Sequence, residues 1–91
     1  MATVAVRHTV EDFDAWRVVF DEHGTIRKEH GCTGTTLLRD EENPNSVLVL
    51  TEWPSQKEAH AFASDPSLKE AMQRAGVQGP PRIEFYEEAG I

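Results

Sequence analysis

The chain has 91 residues, 38% hydrophobic and 27% charged, enough for one small domain spanning residues 1–91 with a single modest core and too short for a multidomain enzyme. Nine Lys and Arg against 16 Asp and Glu leave a net charge of -7, which argues against a nucleic-acid phosphate binder or a protein that docks on anionic membranes. The single Cys32 cannot form an intrachain disulfide, and the opening residues show neither a basic leader with a long apolar core nor a membrane span, so a cytoplasmic protein is expected.

Residues Thr3 to His8 alternate around Val4 and Val6 as an opening strand. Thr9 and Asp12 form a capping pattern, with Glu11 and Asp12 suited to the positive end of a helix dipole. A long helix is predicted from there to His30, stopped by Gly31, which takes up left-handed geometry at little cost. Gly34 to Arg39 and Ser46 to Trp53 read as a hairpin joined through Asp40 to Asn45. Ser55 and Glu58 cap a short helix carrying Ala59, Phe62 and Ala63. Asp65 and Pro66 start another, which turns Leu68, Ala71, Met72 and Ala75 inward and ends at Gly76. Gly79, Pro80 and Pro81 read as a stiff loop, Arg82 to Glu87 as the final strand, and Ala89 to Ile91 as a loose end.

This order is the α+β, ferredoxin-like βαββαβ sandwich with a four-stranded antiparallel sheet. Helices cover only one face of such a sheet, yet Val47, Leu48, Val49 and Leu50 are apolar on both sides of their strand. The simplest cover for the second face is another copy of the chain, so a homodimer is expected.

The long helix carries the strongest hint of a site. Phe13, Trp16 and Phe20 recur at helical spacing, and the same face continues through His23, Gly24 and Arg27, passing from apolar to ionisable. Burying Arg27 alone is unfavourable, so it either pairs with a carboxylate such as Glu52 or Glu84 or faces an open, hydrated cleft. Gly24 is costly inside a helix, and room for a bound molecule beside His23 is one reason to keep it. In an enzyme His23 is the general base, Arg27 holds an oxyanion and Trp16 stacks on a flat substrate. The alternative is a plain helix surface with His23 bonded to a backbone carbonyl and Arg27 in an interface salt bridge. His8 either joins the pocket or ends its strand in solvent. His23 and His30 lie about 10 Å apart along a helix, too far for one ion, so no metal is expected.

With these elements in place, Val4 to Glu88 resembles the antibiotic biosynthesis monooxygenase-like group of the dimeric α+β barrel superfamily. The resemblance rests on Phe13-Asp14-Ala15-Trp16-Arg17, Phe20-Asp21-Glu22-His23, Arg27, Gly31, Asn43-Pro44-Asn45 and the segment from Phe62 to Gly76. It implies a pocket between sheet and helices, used in related proteins for cofactor-free oxidation of aromatic polyketides, for cyclisation or for haem breakdown. The haem signature would fall on Arg7 and His8, Ala61 and Phe62, and Ala71 and Met72, which do not match it, so no haem and no other cofactor is expected. The expectation is a cofactor-independent monooxygenase or cyclase acting on a small aromatic or polyketide-like molecule. Its catalytic residues are His23 and Arg27, and Trp16, Phe20, Gly24, His8 and Glu52 bind substrate. A non-catalytic dimeric small-molecule-binding or accessory protein is the other reading.

Overall fold

A computed structural model describes residues 1–90, so of the expected loose end Ile91 lies outside the described residues. Its elements are β1 (Ala2–Val10), α1 (Phe13–Glu22), α2 (Gly24–Glu29), β2 (Gly34–Arg39), β3 (Ser46–Trp53), α3 (Gln56–Ala63), α4 (Pro66–Arg74) and β4 (Val77–Glu87). The strands form one antiparallel sheet in the order β2-β3-β1-β4, the ferredoxin-like arrangement.

Period-two alternation sorts the sheet into two unlike faces. Val4, Val6 and His8 on β1 and Val47, Val49, Thr51 and Trp53 on β3 turn inward and are buried with Phe13, Trp16, Ala59 and Phe62. Leu48, Leu50 and Glu52 on β3 and Leu38 on β2 turn to the other face, which no helix of this chain covers.

Three local expectations are corrected. β1 continues to Val10 instead of stopping at His8, and the helix starts at Phe13 with Asp12 as its cap, because the Asp12 carboxylate accepts from the Asp14 N–H at 3.0 Å and leaves Thr9 free to pair in the sheet. The Asn45 side chain adds a second cap, accepting from the Phe13 N–H at 3.2 Å. The single long helix is two, broken at His23, which closes α1 and opens α2 in one residue. Gly79 to Pro81 belong to β4; they bulge out of register between the Arg7–Arg82 and Thr9–Gln78 pairs, as befits an edge strand whose prolines lack an N–H.

The other stop signals act where expected. Gly31 and Gly76 have φ of 95° and 80° just after α2 and α4, and the Asp65 side chain accepts from the Ser67 N–H at 2.8 Å with Pro66 opening α4.

Candidate functional site

Between the inner sheet face and the helices lies an apolar cavity of about 60 Å³. Its walls bring together His8 of β1, Trp16 and Phe20 of α1, His23 at the helix break and Arg27 of α2, all singled out by helical or strand spacing. α3 and α4 close it with Phe62, Leu68, Ala71 and Met72, which the sequence marked only as core.

The side chains of β1, α1 and α2 form a continuous row. The His8 ring meets Trp16 edge-on at 5.5 Å, Trp16 stacks on Phe20 at 4.9 Å, and the Arg27 guanidinium sits 3.9 Å over Phe20. Among the described residues no carboxylate lies within ion-pair distance of Arg27. Its pKa is lowered by burial, and a guanidinium remains a cation regardless. The expected partners lie elsewhere: Glu52 is exposed on the outer sheet face against Gly34, and Glu84 pairs with Arg82 at 3.0 Å. Strand alternation puts both carboxylates across the sheet from Arg27.

Gly24 does not line the cavity. The room it leaves is filled by Arg27 itself, since a Cβ on Gly24 would stand 3.2 Å from Arg27 Nη2. Gly24 thus lets the guanidinium fold back over Phe20.

His23 is 8% exposed, and its Nε2 lies 3.1 Å from Ser67 Oγ on α4. Burial and the nearby Arg27 cation hold its pKa below the usual imidazole value, with Asp65 opposing them. It is therefore a neutral, hydrogen-bonded imidazole at neutral pH. Behind it, Asp65 caps α4 and accepts from His30 Nε2 at 2.8 Å, and His30 with the Ser67 hydroxyl and N–H holds the carboxyl down to about 2. The polar groups Ser67, Asp65 and His30 thus run from the cavity wall outward, an arrangement that joins residues far apart in sequence and has no spacing signature.

His8 is 7% exposed, not a solvent-facing strand end, and burial drives its pKa down to about 4. Thr51, also on the wall, is satisfied, donating to the Val4 carbonyl at 3.4 Å and accepting from Trp53 Nε1 at 2.9 Å. His60 stacks on Phe85 at the surface, and Cys32 is a free, half-buried thiol. Among the described residues no three His, Cys, Asp or Glu side chains converge as a metal site would require.

A family model described as antibiotic biosynthesis monooxygenase matches residues 1–74. The chain belongs to the antibiotic biosynthesis monooxygenase family. Membership supports a monooxygenase-like function at the family level. Solved structures agree on the fold. SnoaB, a cofactor-independent oxygenase from Streptomyces nogalater, is 17% identical with a TM-score of 0.81, covering 99% of this chain and 94% of its own. A candidate family member from Bordetella bronchiseptica is 14% identical with a TM-score of 0.79, covering 97% and 96%. Another from Caulobacter crescentus is 19% identical with a TM-score of 0.78, covering 98% and 90%. No curated protein matches the sequence.

Proposed function

We propose that this antibiotic biosynthesis monooxygenase family member is a cofactor-independent monooxygenase or cyclase for a small aromatic, polyketide-like molecule. The observation that carries the reading is one apolar cavity walled by stacked aromatics, a neutral buried imidazole and a cation without a carboxylate partner. SnoaB, whose fold this chain shares, is a cofactor-independent oxygenase.

In this reading His23 takes the proton from a phenol or an activated carbon acid, for which a neutral imidazole is required. Arg27 holds the resulting oxyanion, whose charge is otherwise costly among apolar walls. Trp16 and Phe20, stacked on each other, wall the ring with aromatic surface. For an activated methylene flanked by aryl rings, both hydrogens leave and one atom of O2 becomes the carbonyl oxygen while the other leaves as water. The substrate supplies every electron, so no external reductant is required. The cavity is smaller than the roughly 150 Å³ apolar cavity that holds a benzene ring, so entry of a ring requires wall side chains to move, Met72 with its three side-chain torsions among them.

The functional unit in this proposal is a cytoplasmic homodimer joined through the outer sheet face. Support comes from Leu38, 45% exposed beside Leu48, with Leu50 on the same face and Tyr86, 50% exposed, on it at the β4 edge. No helix of the described residues is long and apolar enough to cross a membrane.

Oxygen uptake and product mass with a panel of hydroxyanthrones and hydroquinones test the function. One O2 consumed per substrate, with one oxygen atom retained from 18O2, is the result expected for the monooxygenase; ring closure without oxygen marks the cyclase. Tight binding without turnover would replace the enzyme by an accessory binding protein.

A further inference from the structure

We propose that His8 is the polar anchor of the cavity, recognising a hydroxyl group on an uncharged aromatic ring. The proposal rests on the reading of the cavity as a ligand pocket and adds what the ligand must carry.

His8 lines the cavity at 7% exposure, and among the described residues neither Nδ1 nor Nε2 has a hydrogen-bond partner. Two other polar side chains on this wall are hydrogen-bonded, His23 to Ser67 and Thr51 to Val4 and Trp53, while Arg27 stacks on Phe20. A buried polar group without a hydrogen bond destabilises a fold, so two orphaned, closed-off nitrogens in a ring that borders the cavity call for a partner from outside the chain, reached once the wall opens to a ligand. Packing does not require an imidazole here, since its neighbours Val6, Val47 and Trp16 would accept an apolar ring.

The chemistry of the partner follows from the ring. A neutral imidazole offers one N–H donor and one lone-pair acceptor, and a hydroxyl both donates and accepts. A carboxylate is disfavoured at this end because Val6, Val47 and Trp16 beside His8 are apolar, Arg7 points to the other sheet face, and Arg39, which shares the inner face, is engaged by the Phe13 ring and the Pro44 carbonyl. The T-shaped contact with Trp16 leaves the ligand ring an aromatic surface next to its hydroxyl. An ether of the same shape lacks the proton that the imidazole lone pair accepts, so hydroxyl and methoxy compounds separate.

The test is an NMR titration of the intact protein with phenol, anisole and toluene, following the His8 ring nitrogens and the Trp16 indole. Phenol is expected to bind about tenfold more tightly than toluene, although toluene is the more apolar, with anisole close to toluene. Phenol is also expected to move a His8 nitrogen resonance. His8→Phe, which keeps a ring against Trp16, should bring phenol and toluene within about twofold of each other. The wild-type series stands without that variant if it does not fold. Equal binding of phenol and toluene, equal binding of phenol and anisole, or a phenol preference that survives in folded His8→Phe would overturn the role of His8 and leave the pocket standing. If none of the three compounds shifts a cavity residue, the ligand pocket itself fails.

Discussion

His23 Nε2 and Ser67 Oγ lie 3.1 Å apart, linking the helix break between α1 and α2 to the first turn of α4. The contact fixes the ring of the candidate base, and the same segment is anchored by Asp65, which caps α4 and bonds His30. Ser67→Ala is expected to cost about 1 kcal/mol in stability by leaving the ring nitrogen unpaired. It should also lower turnover by up to about a hundredfold, because the base loses its orientation. Urea denaturation and oxygen uptake on the same variant separate the two effects.

Stability should fall on acidification, and His8 sets part of the slope. Its pKa is about 4 in the folded protein against about 6.5 in the unfolded chain. Above pH 6.5 both states leave the ring neutral; between about 6.5 and 4 the unfolded chain takes up a proton that the folded one refuses, so stability is lost as pH drops through that window. The limit is about 3 kcal/mol, and His23, also shifted downward by burial, acts with the same sign. Denaturation at pH 7.5, 6 and 4.5 should give a shallower fall in His8→Phe than in the wild type.

Much of this arrangement is legible in the sequence because its signals are local. The alternation of Val4 and Val6, the cap at Asp65 with Pro66, the stops at Gly31 and Gly76, and the helical spacing of Phe13, Trp16, Phe20, His23 and Arg27 each depend on residues a few positions apart. The break at His23 escaped, since the apolar face continues across it and Gly24 alone does not reveal a discontinuity. The partners of charged groups escaped too: Glu52 pointed away, and Ser67 met His23 from 44 positions along the chain. Side-chain pairing across elements follows tertiary packing, which spacing does not encode. Gly79 to Pro81 carry turn residues, yet sheet pairing on either side draws them into an edge strand as a bulge.

Gly24→Ala should separate stability from binding. Gly24 opens α2, so alanine gains less there than the roughly 1 kcal/mol of a helix interior, and its Cβ would approach Arg27 Nη2 at 3.2 Å and push the guanidinium off Phe20. A melting temperature unchanged or raised is expected together with weaker binding of phenolate ligands, measured by calorimetry.

The exposed outer face predicts an association defect. Leu38→Glu places a charge on the apolar surface beside Leu48, opposite the site, and should convert the proposed dimer to a folded monomer. Light scattering with circular dichroism reads both properties.

In the proposed function His23 and Arg27 face the same ligand from one cavity. The most direct test is the crystal structure of the protein with a hydroxyanthraquinone bound. The expected result is a ring system beside Trp16 and Phe20, with ligand oxygens within hydrogen-bond distance of His23 and Arg27. A ligand seated on the outer sheet face, or a cavity closed by its own side chains with both groups turned to water, would contradict it.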